Sequence, residues 1–520
     1  MHLGAVFRQR IVDAESSLDH MKRHRVILVN SSNRMAGDTL PLGLSAVAAT
    51  LRREGLDTAI ASLLMERPAS LERQINDFWR DVQLHQVLFV GFSTMCNTLP
   101  RTLSLAAALK RTAPGIPVVF GGPEASLNAR GLKAAYNSID VIVVGEAEGV
   151  VKDLVDSLCT GRRQNQPGLW FGDSSRSNGQ KGDSANCPVR APLVDLGYLE
   201  WGDDNVDGSA NHTRAAIEVG RGCPYNCSYC STQKFFGNAF RLKRPELILR
   251  EATRRMGAQG VHRVDFVHDM FTFDRGRVVA ICKKLMETGL RLQWSCSARP
   301  DSVDAELLRL MYRAGCTDIY FGLETGSPRI QKLINKRLNI GESLSTFKIA
   351  LQIGMKVTVA FIIGFPQETE DDLTSTLTTA LRIGSWPSER VSIQVHLLSP
   401  LAGTQLTEKY AGEILYDGHS PSLASVNCLT TWEEHQIRTR RDLFSSFYYF
   451  RNPHISRSTF KWLHTALATG ARASLLNSLY HRYGESAGAV LLQWARQRGH
   501  YPIGSVVQRR WTEMRRQWAH

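Results

Sequence analysis

The sequence contains no long uninterrupted apolar segment. None of its apolar runs reaches the roughly 20 residues that a membrane-spanning helix requires, although hydrophobic residues make up 43% of its 520 residues. The opening stretch, MHLGAVFRQRIVDAESS, also lacks the apolar core and the small-residue cleavage pattern of a secretory signal. We therefore expect a globular protein of the cytoplasm whose cysteines stay reduced, and the length indicates about three domains.

The sequence is poor in acidic residues relative to basic ones. Lys and Arg number 63 against 49 Asp and Glu, which gives a formal net charge of +14. Residues 431–520 hold fourteen of the basic residues and five of the acidic ones. Because these basic residues are scattered, we interpret them as a solvated helical surface, and nucleic acid is not an expected partner. Docking of an acidic partner, a phosphate or a carrier protein is the alternative.

The N-terminal part alternates short β-branched runs with longer helical patterns. Five runs, RVILVN, DTAIAS, QVLFVGFS, PVVFGG and VIVVG, fall between residues 25 and 158. Strands that alternate with helices in this way predict a doubly wound parallel sheet in an α/β domain. Ligands of such sheets bind at the carboxyl ends of the strands, where small residues allow close approach to the backbone.

The remainder of the chain is predicted to form a linker, a second α/β region and a C-terminal helical region. Residues 161–212 are polar, rich in Gly and Ser and without periodicity, which is typical of a linker. Six further strand-like runs follow; they are too few for a closed eight-stranded barrel and predict an open partial (β/α)6 barrel. The predicted domains are an N-terminal extension (1–24), the parallel-sheet domain (25–160), the linker (161–212), the barrel core (213–410) and a helical C-terminal domain (411–520).

Three of the ten cysteines, Cys223, Cys227 and Cys230, lie close together directly after the first barrel strand. Three thiolates at this spacing can each bind one iron of a cubane, and one iron stays open because no fourth cysteine lies nearby. An open iron can be chelated by S-adenosylmethionine (SAM), whose C–S bond the reduced cluster can cleave. A structural zinc site would need four ligands in paired knuckles, and a chance cluster of core cysteines would not have turn residues between its members. The spacing therefore predicts an iron–sulfur cluster.

The C-x3-C-x2-C motif, with the aromatic Tyr229 before its last cysteine, resembles the signature of radical SAM enzymes. The parallel-sheet domain, with PLGL at 41–44, GGP at 121–123 and GEAE at 145–148, resembles the Rossmann-like B12-binding domain of one branch of that superfamily, the class B methyltransferase-like enzymes. Together the two resemblances cover residues 25 to about 406. They imply a [4Fe–4S] cluster, SAM and cobalamin as cofactors, and an external one-electron reductant of the flavodoxin or ferredoxin type.

The resemblance also implies which residues contact the cofactors. SAM needs a carboxylate for its amino group and a guanidinium for its carboxylate, and Asp269, Arg299 and Glu324 at strand ends are of these types. The IIGFP stretch at 362–366 resembles the motif whose backbone pairs with adenine. The implied cluster ligands are Cys223, Cys227 and Cys230; the implied SAM contacts are Tyr229, Asp269, Ser297, Arg299, Glu324, Ile362 and Gly364; and the implied cobalamin contacts are Ser93, Gly121, Gly122, Gly145 and Glu146.

Three features depart from the family pattern. Glu368 is displaced by one residue from the commonest spacing, which weakens a role for it, and Ala402 replaces a proline in the P-x-P-G-T stretch at 400–404. No D-x-H-x-x-G motif occurs between residues 25 and 160. The domain is therefore not expected to supply a histidine beneath cobalt, and the lower ligand is left open.

A radical generator combined with a methyl carrier implies methylation of an unactivated carbon in a small-molecule or peptide natural-product substrate. One SAM would methylate cobalamin, and a second, cleaved reductively, would give the radical that takes hydrogen from the substrate. Cyclisation, rearrangement or oxidation without methyl transfer would use the same cofactors. Methylthiolation of tRNA would need more N-terminal cysteines than Cys96 and Cys159, and a non-enzymatic B12 or redox sensor would not need six strand ends equipped for SAM.

The C-terminal helices are expected to select the substrate. An aromatic stretch at 444–450 is interpreted as the core of a helix rather than a substrate wall. His396, near the end of the sixth barrel strand, is given no catalytic role.

Overall fold

The computed structural model describes residues 25–34, 42–64, 71–82, 84, 86–172, 188–196, 214–259, 261–422, 429–468 and 478–498. These residues form two compact units. The first takes in the described residues of 1–212, 234–237 and 424–445, and the second those of 213–233, 238–423 and 446–520. The extension predicted for 1–24 lies outside the described residues, and the predicted domain boundaries stay predictions. Among the described helices, none is both long enough and apolar enough to cross a membrane.

The first unit is built on a six-stranded sheet. Its strands are Arg25–Arg34 (β1), Asp57–Leu64 (β2), Val87–Ser93 (β3), Val118–Gly121 (β4), Val141–Val143 (β5) and Leu169–Trp170 (β6). Their order is β2-β1-β3-β4-β5-β6. The five predicted strands are present and pair in parallel, which confirms the doubly wound sheet. The sixth strand pairs antiparallel to β5 within the predicted linker, where two residues are too short a run to indicate a strand.

The strand order of this sheet has a switch point between β1 and β3. The chain leaves β1 toward β2 on one side and returns to β3 on the other, and ligands of doubly wound sheets bind where the order switches in this way. Val26 to Val29 of β1 are each at most 3% exposed, as expected for a parallel strand covered on both faces. The helices of this region are Leu42–Arg53 (α1), Leu71–Asp81 (α2), Leu99–Thr112 (α3), Pro123–Leu127 (α4), Ala129–Ala135 (α5) and Val151–Thr160 (α6).

The second unit is built on an open barrel of six parallel strands. These strands are Arg214–Glu218 (β7), Arg263–Val267 (β10), Gln293–Ala298 (β11), Cys316–Glu324 (β12), Lys356–Ile363 (β13) and Val391–Leu397 (β14), and a small antiparallel pair lies beside them, Gly220–Arg221 (β8) with Arg241–Leu242 (β9). The six barrel strands are ordered as they occur in the chain. Within the described residues β7 and β14 do not pair, so the predicted partial barrel is confirmed.

The two faces of the barrel sheet differ in polarity. Helices pack on the outer face, where Phe321 of β12 and Val359 of β13 are fully buried in the main apolar cluster. Successive side chains of a strand alternate between faces, so Tyr320 and Thr358 lie on the opposite face, which we call the inner face. The helices that follow the strands are Thr232–Phe236 (α7), Pro245–Gln259 (α8), Arg275–Glu287 (α9), Ala305–Arg313 (α10), Pro328–Leu333 (α11), Ile340–Ile353 (α12), Glu370–Gly384 (α13) and Gln405–Lys409 (α14).

The aromatic stretch at 444–450, predicted to lie in a helix, is not part of an α-helix. Helix Thr431–Thr439 (α15) ends well before that stretch, which instead forms a short turn of 3-10 helix and a strand, Tyr449–Phe450 (β16), paired antiparallel to Ile414–Leu415 (β15). The helical interpretation of residues 444–450 is wrong, because aromatic residues suit a strand as well as a helix. Most of them are buried, which agrees with a packing role.

The C-terminal region contains helices, as predicted, and they divide between the two units. Helix α15 packs in the first unit. Arg457–Ala468 (α16) and Ala487–Arg498 (α17) pack in the second, against the outer face of the barrel sheet.

A buried ion pair fixes helix α15 in the first unit. Glu433 Oε1 lies 2.6 Å from Arg101 Nε on α3 and accepts a hydrogen bond from Ser104 Oγ at 2.9 Å. Glu433 also closes a capping box with Thr430 at the start of the helix, which satisfies backbone donors that would otherwise lack partners.

Candidate active site

The three cysteines lie on one loop that follows the first barrel strand. Cys223, Cys227 and Cys230 are half-buried and form no disulfide, and their loop runs from β8 to α7. Gly222, just before the first cysteine, has a φ of 84°, a left-handed conformation that favours glycine. The loop therefore lies at a strand's carboxyl end, where barrels carry their chemistry.

Burial and mutual repulsion both disfavour the thiolate forms of Cys223 and Cys227. Burial raises the pKa of Cys223 to about 11, and charges on Cys230 and Cys227 would raise it further. Burial also raises the pKa of Cys227, while the Lys336 ammonium acts in the opposite direction. The three cysteines lie close enough that their thiolate charges would repel one another. The positive charge of bound irons would offset this repulsion, so the arrangement fits an iron–sulfur cluster.

The arrangement fits several irons better than one metal ion. In the part of the chain that the structure describes, no three His, Cys, Asp or Glu side chains converge on a single metal-ion position. A structural zinc site needs such a tetrahedral ligand set. In a cubane each thiolate binds a different iron, so the three cysteines fit the cluster without meeting at one point.

Asp269, a predicted SAM contact, holds both ends of the cysteine loop. Its Oδ2 accepts a hydrogen bond from Gly222 N at 3.1 Å, and its Oδ1 accepts one from Thr232 Oγ1 at 3.2 Å. Because both carboxylate oxygens bind the loop, the geometry makes Asp269 a positioning residue. Its direct contact with SAM stays a prediction.

A second segment, which the sequence analysis did not single out, supports the cysteine loop. Residues 334–337, the bracing segment, follow helix α11; Ile334 O accepts a hydrogen bond from Ser228 N at 3.0 Å, and Asn335 Nδ2 donates to Asn226 O at 2.8 Å. Asn335 has a φ of 56°, which asparagine tolerates better than most residues. An asparagine just past the end of a helix was the available signal.

Glu324, another predicted SAM contact, meets the bracing segment in a buried ion pair. Its Oε1 lies 2.6 Å from Lys336 Nζ, and both side chains are largely buried. Gly322 leaves room for this pair, because a Cβ at that position would collide with Glu324 Oε1. Lys336 Nζ also lies 3.5 Å from Tyr229 OH. One ammonium group that the sequence analysis did not name therefore joins two of the predicted SAM contacts.

Arg299 keeps one donor available for a ligand. Its Nε and Nη2 donate to Asp301 at 2.9 and 2.8 Å, and Nη2 also donates to Lys336 O at 2.9 Å. The guanidinium carbon lies 3.9 Å from the centroid of the Tyr225 ring. Among the described residues, the buried Nη1 has no hydrogen-bond partner. A fixed guanidinium with an orphaned N–H, beside the cysteine loop, fits the carboxylate of SAM.

The remaining predicted SAM contacts lie at strand ends. Ser297 is on the inner face of β11 and Ile362 on that of β13. Gly364 follows β13 with a φ of 97°, and its N–H donates to Glu368 Oε2 at 2.8 Å. Burial raises the pKa of Glu368 to about 8. Glu368 therefore shapes the turn that presents Gly364, a structural role that its displaced position in the motif did not indicate.

In the first unit, four of the five predicted cobalamin contacts form a compact edge at the carboxyl ends of β3, β4 and β5. Ser93 and Gly121 pair in register. Gly122 has a φ of 90°, and a Cβ there would come within 2.7 Å of Thr94 O. Thr94, which is fully buried, joins the strand ends because its N–H and its Oγ1 both donate to Gly121 O at 2.8 Å.

Gly145 and Glu146 are the remaining predicted cobalamin contacts, and the structure gives them different roles. Gly145 has a φ of 94°, and its N–H donates to Ser126 Oγ at 3.0 Å. Glu146 is buried, and its Oε2 accepts a hydrogen bond from Val194 N at 2.8 Å. Glu146 therefore anchors the chain at 188–196, and its contact with cobalamin stays a prediction. The small residues at the edge fit a flat ligand that passes close to the backbone.

Two family models match this chain. The radical SAM superfamily model matches residues 217–380, which include the cysteine loop and the strands β10 to β13. The B12 binding domain model matches residues 32–155, which include β2 to β5. The two matches coincide with the barrel and the doubly wound sheet.

Similar proteins include enzymes named as methylating enzymes. An uncharacterized methyltransferase of Pyrococcus horikoshii is 27% identical over 399 residues, which cover 75% of this chain and 83% of that protein. The hopanoid C-3 methylase of Methylococcus capsulatus is 27% identical over 329 residues, covering 62% of this chain and 60% of that protein. The chain therefore spans less than two thirds of the second relative's length.

A solved structure shares the fold. The radical SAM methyltransferase TsrM from Kitasatospora setae, with cobalamin and a [4Fe–4S] cluster bound, superimposes with a TM-score of 0.66 over 91% of this chain and 99% of that one, at 16% identity. A B12-binding domain and a radical SAM domain thus occur together in one chain with methyltransferase relatives. The chain belongs to the cobalamin-dependent radical SAM enzymes, with a [4Fe–4S] cluster, SAM and cobalamin as its cofactors.

Proposed function

We propose that the protein methylates an unactivated carbon of a small-molecule or peptide natural product. The observation that supports this most directly is the braced cysteine loop, with the open donor of Arg299 beside it, in a chain that also carries a B12-binding domain. The methylating relatives favour transfer of a methyl group over the other reactions that this pair of cofactors allows.

The residues of the second unit hold the radical-generating groups. When bound, the cluster and cobalamin supply the electron that cleaves SAM and the carrier of its methyl group. Cys223, Cys227 and Cys230 bind three irons, and Arg299 Nη1 donates to the carboxylate of SAM. Glu324, fixed by Lys336, accepts from the SAM amino group, and the backbone at Ile362 to Gly364 meets its adenine. Ser297 and Tyr229 complete the SAM contacts.

In the first unit, Ser93, Gly121, Gly122 and Gly145 frame cobalamin, and Glu146 anchors the segment that follows. These residues keep water from the ligand's edge by close backbone contact rather than by large side chains. The electron comes from an external one-electron reductant of the flavodoxin or ferredoxin type.

The test begins with the cofactors. The protein is purified without oxygen and reconstituted with iron, sulfide and hydroxocobalamin, beside a triple variant, Cys223→Ala, Cys227→Ala and Cys230→Ala. We expect about four irons and one cobalt per wild-type chain, with iron lost and cobalt kept in the variant. The matched control is Cys159→Ala, an exposed cysteine outside the loop, which should keep both metals.

The reaction is then followed with SAM carrying a deuterated methyl group. The loaded enzyme, a reductant and a small-molecule extract of the source cells should yield a product that carries the label, and the triple variant should yield none. A product that changes mass without label would replace methylation by ring formation or oxidation. Absence of cysteine-dependent iron would overturn the radical mechanism as a whole.

A further inference from the structure

The turn that follows β13 is held by a side chain from the C-terminal region. Residues 365–368 form this turn, which we call the β13 turn, and Glu368 N donates across it to Phe365 O at 3.1 Å. Asn452, two residues beyond β16, donates from its Nδ2 to Phe365 O at 2.9 Å and to Glu368 O at 2.8 Å. One amide therefore binds the first and last carbonyls of the turn, which lie 87 and 84 residues away in the chain.

The amide of Asn452 is also fixed by its own segment. Its Oδ1 accepts hydrogen bonds from His454 N and from Ile455 N, both at 2.8 Å, and Ile455 is buried in the main apolar cluster. The side chain thus donates twice to the turn and accepts twice from its own segment. A primary amide has both kinds of group, whereas an ionised carboxylate can only accept.

The β13 turn borders the site around the cysteine loop. The Phe365 ring forms an edge-to-face pair with the ring of Tyr229, with centroids 6.2 Å apart, and Tyr229 belongs to the cysteine motif. Just before the turn, Gly364 has a φ of 97°. Apart from its chain neighbours, no described residue has an atom within 4 Å of the position that a Cβ on Gly364 would take. The backbone beside the turn is therefore open to close approach by a ligand.

From these contacts we propose that Asn452 is a positioning residue for SAM. By binding both ends of the β13 turn, its amide holds the backbone of residues 362–364 in the conformation that meets adenine. Binding to a preformed site avoids the cost of ordering the turn, which increases affinity. The inference rests on the SAM contacts of the proposed function, and it adds a residue of the C-terminal region to a site built by the barrel core.

The experiment measures binding of S-adenosylhomocysteine, which has the amino, carboxylate and adenine groups of SAM but no sulfonium to cleave. Calorimetry on anaerobically reconstituted holoenzyme gives its dissociation constant. After chemical reduction, the EPR spectrum of the cluster at saturating ligand reports the contact between the ligand and the open iron. Iron content and the thermal midpoint establish that each variant is loaded and folded.

The test variant is Asn452→Asp, which keeps the acceptor for its own segment but has no donor for the turn. Asn452→Ser, whose shorter side chain can accept within its own segment but does not reach the turn, replaces it if the charged variant does not load iron. The matched control is Asn165→Asp in the first unit. Asn165 has the same arrangement, since it donates to Gly172 O at 2.8 Å and accepts from Phe171 N at 2.7 Å.

We expect Asn452→Asp to bind S-adenosylhomocysteine about tenfold more weakly than wild type. Its EPR spectrum at saturation should equal that of wild type, because the amino and carboxylate end of the ligand is unaffected, and Asn165→Asp should bind normally. An affinity within about twofold of wild type, or an equal loss in Asn165→Asp, would contradict the proposal. A changed EPR spectrum would also contradict it, since the substitution would then act through the cysteine loop.

Two double variants locate the effect on the ligand. Gly364→Ala strains the positive φ beside the turn, so its combination with Asn452→Asp should weaken binding by much less than the product of the two single effects. Arg299→Lys acts at the other end of the ligand, so its combination with Asn452→Asp should give the full product. The opposite pattern would overturn the proposal. Normal binding by Gly364→Ala would contradict the adenine contact of the proposed function and this inference with it, whereas normal binding by Asn452→Asp alone would contradict only this inference.

Discussion

Polar side chains at the edge of the sheet in the first unit bond to backbone, whereas some on the inner face of the barrel in the second unit form no hydrogen bond within the described residues. At the edge, Thr94, Ser126 and Glu146 all bind neighbouring backbone groups. On the inner face, Tyr320 and Gln394 have no hydrogen-bond partner among the described residues. The bonded groups hold the edge of the first sheet in one geometry, whereas Tyr320 and the exposed Gln394 are able to form hydrogen bonds with water or with a ligand.

The two units also place their buried charges differently. In the first unit the Arg101–Glu433 pair joins two helices. In the second unit the Lys336–Glu324 pair and Arg299 stand beside the cysteine loop. Substitutions of buried charge in the first unit should therefore change stability, and those in the second unit should change ligand binding.

The largest effect is expected for Glu433→Ala in the first unit. The substitution leaves the buried guanidinium of Arg101 without its partner, and breaking a buried pair in this way costs about 3–5 kcal/mol. We expect the free energy of unfolding of the first unit to fall by that amount, measured by hydrogen exchange of the amides of α3 and α15. Exchange in the barrel strands should not change.

A double variant distinguishes the effect of the two charges from the effect of side-chain packing. Arg101→Leu combined with Glu433→Leu removes both charges, so it should recover much of the stability that Glu433→Ala loses. A loss for Glu433→Ala below about 1 kcal/mol would show that water reaches the pair and that the first unit does not depend on it.

The next effect is on ligand binding in the second unit. Arg299→Lys keeps the charge but loses the planar fork that binds Asp301 and stacks on Tyr225, so we expect SAM to bind about 10–100-fold more weakly. Calorimetry on iron-loaded protein without oxygen measures this change. Arg275→Lys, an exposed arginine paired with Asp304 and Glu306, is the control and should bind SAM normally. Equal affinities in the two variants would remove Arg299 from the SAM site.

A glycine at the edge of the first sheet gives the third effect. Gly122→Ala places a Cβ against Thr94 O at a positive φ, which we expect to cost about 1–3 kcal/mol and to lower cobalt content without lowering iron content. Gly115→Ala, in the same unit but with open space around its Cβ, is the matched control. Metal analysis after reconstitution is the measurement. If the Gly122→Ala protein were less stable but kept its cobalt content, this edge of the sheet would contribute to stability and not to cobalamin binding.

The sequence predicts the strands and the cysteine loop because both depend on local patterns. Five strands of the first unit and six of the second follow from alternating apolar runs, and three cysteines at short spacing need no tertiary information. The contacts that support the site are not local. Asn335 reaches Asn226 across 109 residues, and Glu433 reaches Arg101 across 332. Local patterns mark only the helix ends at which Asn335 and Glu433 lie, so their distant partners could not be predicted.

The last effect concerns pH, and both units contribute to it. Burial raises the pKa of Glu124 in the first unit to about 7 and that of Glu368 in the second to about 8, from an ordinary 4.5. Because the folded pKa lies above the unfolded one, the protonated carboxyl stabilises the fold below about pH 4.5. This contribution is lost as pH rises to 7 in the first unit and to 8 in the second.

We expect this loss to be about 3 kcal/mol for Glu124 and about 5 kcal/mol for Glu368, since each unit of pKa shift corresponds to about 1.4 kcal/mol. Glu124→Gln should remove the decline in the first unit alone, and Glu368→Gln that in the second unit alone. Hydrogen exchange at several pH values, corrected for the intrinsic rate, follows each unit separately through the amides of β4 and β13. If the decline persisted in both glutamine variants, it would have to come from other groups, and the two buried carboxyls would be open to water in the folded protein.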